Sequence, residues 1–148
     1  MQAQILAPAA VLVLWTIVML VWLAVTRFPA MAKIGITAKT APPGGRGQNL
    51  DGVLPDPVQW KSHNYAHLME QPTLFYAVIA ILAIMGAQER DVQFAWAYVA
   101  LRIIHSLWQA TVNTIPVRVT LFLFSTICLT MLGVSALRLT LFAAGVPA

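Results

Sequence analysis

The chain has 148 residues, 59% of them hydrophobic and 9% charged, with a formal net charge of +4 at pH 7. Soluble domains carry about 25% charged residues, so the composition excludes an ordinary soluble globular protein. It also argues against a nucleic-acid binder, because the basic residues are scattered at the ends of apolar runs and form no basic face.

Four apolar runs, roughly 5–26, 62–86, 92–112 and 118–143, organise the chain. Each approaches or exceeds the roughly 20 residues needed to cross a hydrocarbon core. They predict a single all-α membrane domain over residues 1–148, a bundle of four transmembrane helices embedded in a lipid bilayer. Lys and Arg set the orientation. Arg27, Lys33, Lys39, Arg46 and Lys61 lie between the first two spans and Arg118 follows the third, against Arg90 and Arg138 on the other side. The positive-inside rule therefore predicts cytoplasmic first and third loops and outward-facing termini. In a bacterium this would be a multi-pass protein of the inner, cytoplasmic membrane.

The first span carries Trp15 and Trp22 and no charge before Arg27. It lacks a positively charged leader and is long for a signal peptide, so it reads as a retained span. Residues 27–61 form a long connection, with Pro42-Pro43-Gly44-Gly45 and the segment Gly52 to Pro57 as irregular loop. Connections of this length are either flexible linkers or binding elements and lids. Both readings stay open.

Trp60 and Lys61 form an interfacial anchor at the start of the second span. His63, His67 and Glu70 follow at spacings i, i+4 and i+7, one stripe on a helix. Pro72 should bend the backbone just beyond Glu70. Gln88 to Asp91 reads as a short polar hairpin that makes the second and third spans antiparallel neighbours. The third span then carries Arg102, His105 and Gln109 at i, i+3 and i+7, with Trp108 one step off that stripe.

Ionisable side chains within a membrane are costly, and they mark either a packing pair or a functional cavity. Counting from the hairpin places Glu70 and His105 at similar depth. A Glu70–Arg102 pair, joined by His105, would neutralise two such charges. Asn113 to Pro116 ends the third span, with Asn113 a capping or helix-bonding group, and Arg118 starts the fourth. Ser125, Thr126, Thr130, Gly133 and Ser135 are small packing residues in that last span. The lone Cys128 reads as apolar filler.

With both polar spans in view, the chain resembles the MAPEG family (membrane-associated proteins in eicosanoid and glutathione metabolism) along essentially its whole length. The resemblance rests on four spans, a long first loop, and a signature like N-x-x-E-x-P at His67-Leu68-Met69-Glu70-Gln71-Pro72. It extends through Leu74-Phe75-Tyr76, and through Arg102-Ile103-Ile104-His105-Ser106 followed by Asn113 and Arg118. It implies a homotrimer that binds glutathione as co-substrate between subunits near the cytoplasmic face. By position, Arg118 would be the catalytic, thiolate-stabilising arginine. Glu70 would hold the peptide's amino group or Arg102, and His67, Arg102, His105 and Gln109 would line the binding site.

The chain departs from the family pattern at several of these positions. The signature asparagine is His67, two arginines before it appear as His63 and Ala66, and two tyrosines of helices three and four appear as Gln109 and Phe122. Each missing charge-assisted contact is worth roughly 1.5–3 kcal/mol.

Three functions follow as expectations. The first is a glutathione-dependent transferase or peroxidase acting on lipophilic electrophiles. The second is a silent scaffold or accessory subunit of a larger membrane complex. The third, suggested by the histidine stripe, is a metal-dependent membrane enzyme.

Overall fold

The computed structural model describes residues 2–142 and consists of four helices: α1 (Gln2–Lys33), α2 (Asp56–Met85), α3 (Glu89–Thr111) and α4 (Ile115–Phe142). All four begin before the apolar stretches that announce them, and α1 also continues past the end of its own. Hydropathy marks the part of a helix that lies in hydrocarbon, whereas the helix itself continues until a residue stops it. The expected end of the fourth span, position 143, lies outside the described residues.

The stops have identifiable causes. At the end of α1, Gly35 adopts φ +78°. The Ile36 amide bonds the Met31 carbonyl at 3.0 Å and the Gly35 amide bonds that of Ala32 at 3.1 Å, a Schellman closure. Helix α2 begins with Pro57 in its first turn and ends at Gly86, φ +97°. Only Gly86 to Gln88 form the turn into α3. Glu89 to Asp91, expected in a hairpin, already belong to that helix, because Asp91 folds back to accept the Gln88 amide at 2.9 Å and completes a capping box. Asn113, at φ 57°, turns the chain from α3 into α4.

Short turns make α2, α3 and α4 sequential antiparallel neighbours, and α1 packs on α2 and α3. The α1 face turned inward is Ile5, Leu12 and Met19, each fully buried and spaced by seven residues, a narrow seam of the kind found in left-handed helix packing. It meets a core that includes Leu68, Phe75, Ile79, Tyr98 and Leu132. The Phe75 and Tyr98 rings stack with centroids 4.4 Å apart.

Outside, the molecule is apolar: Leu14, Val25, Leu74, Ile84 and Leu123 are all more than half exposed. Acyl chains, not water, suit such a surface. Helices α1, α2 and α4 are long and apolar enough to cross a membrane. Helix α3, with 23 residues, spans roughly 35 Å. It is the polar exception, and its polar side chains are turned inward: Arg102, His105, Ser106 and Gln109 are all buried.

Polar side chains tie the helices together. Ser106 of α3 accepts from Asn64 Nδ2 of α2 at 2.8 Å and from Trp15 Nε1 of α1 at 3.1 Å. Two turns further along α2, Gln71 donates to Thr126 of α4 at 2.8 Å and accepts from the Tyr98 hydroxyl at 3.3 Å. Asn64 and Gln71 are seven residues apart and share the inward face of α2. The site is built on the adjoining face.

Candidate functional site

The α1–α2 connection and the α3–α4 turn lie at one end of the bundle. There α2 brings His67, α3 brings His105, and the first turns of α4 bring Arg118, Val119 and Phe122 around a cavity of about 140 Å³. The rings of His67 and His105 stack at 5.2 Å. Phe122 closes against both, with centroids 5.4 Å from His67 and 6.4 Å from His105. The guanidinium of Arg102 lies behind this aromatic wall, 5.9 Å from the Phe122 ring centre.

Arg118 is held from its own side of the turn. Its Nη1 donates to Asn113 Oδ1 at 2.6 Å. Asn113 therefore has two tasks: its backbone adopts the left-handed conformation that reverses the chain, which asparagine tolerates better than most residues, and its side chain orients the arginine. The expected capping role of Asn113 is met in this turn.

Arg102 is fully buried, and the pairing expected for it is not made. Its Nη2 donates to the backbone carbonyl of His67 at 3.0 Å. The Glu70 side chain is 68% exposed and has His67 Nε2 as its nearest partner, 3.9 Å away. The backbone supplies the reason. Pro72 offers no N–H to the Leu68 carbonyl four residues earlier, and in this same turn the His67 carbonyl accepts the long side chain from α3. The guanidinium takes the carbonyl, and Glu70 points outward from this chain.

The histidine stripe also separates. His63 Nε2 lies 3.0 Å from Asp51 Oδ1, which also accepts from Gln59 Nε2 at 2.8 Å, so this histidine clamps the α1–α2 connection onto α2. Among the described residues no three of His, Cys, Asp and Glu converge as a metal site. Gln109 is buried on the same face of α3 as Arg102 but does not line the cavity.

Several buried polar atoms at this end have no partner: His67 Nδ1, His105 Nε2, Arg102 Nε and Nη1, and Gln109 Oε1. Orphaned buried groups are rare and costly. Arg118 and the Arg102 guanidinium, with no carboxylate on the cavity wall, make the region electropositive, and the orphaned atoms leave it unused hydrogen-bonding capacity. Such a region suits an anionic ligand carrying several polar groups. Sequence reasoning gave no role to Asn64 or Gln71 and placed Phe122 only as a missing tyrosine. The signal for the first two was their i, i+7 spacing, a polar stripe beside the histidine stripe.

Residues 5–138 match the model of the MAPEG family. No curated protein and no solved structure matches the chain.

Proposed function

Since this chain belongs to the MAPEG family of helical membrane bundles, whose members are linked to glutathione, we propose that it is a glutathione-dependent transferase or peroxidase acting on lipophilic electrophiles. The observation that carries this reading is Arg118, fixed by Asn113 at the head of α4 and facing a cavity that holds two imidazoles and no carboxylate.

A cation in that position lowers the pKa of an adjacent thiol and so raises the supply of nucleophile at neutral pH. Glutathione brings the thiol. The donor set fits its other groups. Arg102 Nε and Nη1 supply donors for carboxylate and amide oxygens, the orphaned imidazole nitrogens can each donate or accept according to tautomer, and the outward-facing Glu70 carboxylate suits an ammonium. Phe122 and the exposed apolar sides of α2 and α4 offer a route by which a bilayer-dissolved electrophile reaches the thiolate.

A cavity of about 140 Å³ is small beside typical ligand sites of roughly 300–1,000 Å³. A neighbouring copy would supply the missing wall and cover Glu70, which is the reading that favours a homotrimer with the site between subunits. The basic residues gathered at this end support a cytoplasmic site by the positive-inside rule.

Ala66, His67, Gln109 and Phe122 support a second reading, a scaffold or accessory subunit of a larger membrane complex that keeps the fold without the thiol chemistry. Calorimetry of glutathione with detergent-purified protein separates the two. A dissociation constant below about a millimolar, near −4 kcal/mol, is expected for the enzyme. Absence of binding would leave the scaffold.

A further inference from the structure

The α1–α2 connection does not trail into solvent. It folds back on the end of α1 and borders a second, half-open cavity, of about 380 Å³, well separated in the chain from His105 and Arg118. Two arginines reach this cavity, Arg27 from the last turns of α1 and Arg46 from the connection. The rest of its wall is mainly apolar, with Phe28, Met31, Ile36 and Leu50 prominent. An adjoining cavity of about 300 Å³ shares Phe28, Met31 and Ile36 and extends the apolar trough.

Arg27 is placed by the backbone. Its Nη2 donates to the Gly47 carbonyl at 2.8 Å, and a Cβ on residue 47 would stand 2.9 Å from Nη1. A side chain at residue 47 would push the guanidinium aside. The bond to Gly47 leaves the charge uncompensated. No carboxylate lines either cavity, neither arginine makes an ion pair among the described residues, and Arg27 Nε is buried without a partner.

We propose that this cavity binds an anionic phospholipid, with its phosphate between Arg27 and Arg46 and part of an acyl chain in the trough. Two unpaired guanidiniums call for an oxyanion, and a phosphate accepts from both. The apolar lining is too extensive for a free inorganic anion, and the volume falls in the range of ligand sites. The position matches as well, because the end of a membrane-crossing helix is where headgroups lie and where basic pockets recognise them. A lipid held here would pin the α1–α2 connection, and with it the Asp51–His63 clamp, onto the bundle. The inference is independent of whether the site at Arg118 turns over glutathione.

The test is thermal unfolding of delipidated protein in neutral detergent, without glutathione, titrated with dioleoyl phosphatidylglycerol, dioleoyl phosphatidylcholine or oleate. Phosphatidylglycerol should protect at concentrations about tenfold or more below phosphatidylcholine. Arg27→Gln with Arg46→Gln should erase that difference, and Gly47→Ala, which displaces only the guanidinium, should reduce it. Lys33→Gln with Lys39→Gln, which removes the same charge outside the cavity, should leave it intact. Equal protection by both phospholipids, equal loss in the lysine control, or protection by oleate without phosphatidylglycerol would each overturn the assignment.

Discussion

Arg102 Nη2 donates to the carbonyl of His67, 3.0 Å away and five residues before Pro72. A charge from α3 is thereby spent on the backbone of α2, while the carboxylate of Glu70, three residues further on, stays outside. This contact joins α2 and α3 beside the site, as Asn64–Ser106 and Gln71–Tyr98 do elsewhere along the pair.

It leaves Glu70 and Arg102 without a direct contact within the chain. In a double-mutant cycle of Glu70→Gln and Arg102→Gln, measured by unfolding in mixed micelles, the effects should add to within about 0.5 kcal/mol. A coupling above about 1 kcal/mol would show that carboxylate and guanidinium do meet.

Ser106 is the acceptor for two donors from two other helices. Ser106→Ala strands both the Asn64 amide and the Trp15 indole N–H, and should destabilise by about 1–2 kcal/mol. Trp15→Phe removes only one donor and should cost about half as much. If the serine variant proved as stable as the phenylalanine one, the three-helix junction would be a matter of proximity alone.

Arg118 and Asn113 separate chemistry from folding. Arg118→Ala should bring glutathione conjugation of an aryl halide down to the uncatalysed rate. Asn113→Gly keeps the left-handed turn but removes the Oδ1 that steers the arginine. It should melt near the parent protein while conjugating several-fold more slowly. Unchanged conjugation in the Arg118 variant would remove that residue from the mechanism.

Chelation addresses the histidines. His63 is engaged with Asp51, Glu70 stands off from His67 at 3.9 Å, and among the described residues no three such side chains converge on one point. Dialysis against EDTA, followed by metal analysis, should leave glutathione binding and melting temperature unchanged. A fall in either that zinc restores would revive the metal reading.

The elements closest to the bilayer were the most legible. Runs such as 5–26 and 118–143 announce helices because a chain in hydrocarbon must satisfy its own backbone and show apolar side chains outward. Proline, glycine and asparagine near the run ends announced turns for equally local reasons. Helix ends were less legible. Arg27 to Lys33 and Asp56 to Lys61 look like loop by polarity yet extend α1 and α2.

What the sequence by itself determined is therefore the class of solvent, the count of helices, their antiparallel order, and the inventory of costly side chains: Glu70, Arg102, His105, Arg118. Each follows from composition and spacing, which act along the chain. Partnerships were decided only by the tertiary structure. Arg102 bonds the His67 carbonyl, His63 turns to Asp51, and Arg27 reaches across twenty residues to Gly47. A residue's spacing says which face of a helix it occupies. It carries no information about backbone carbonyls or loop atoms that another segment brings within 3 Å, and those were the contacts that divided the polar residues between structure and site.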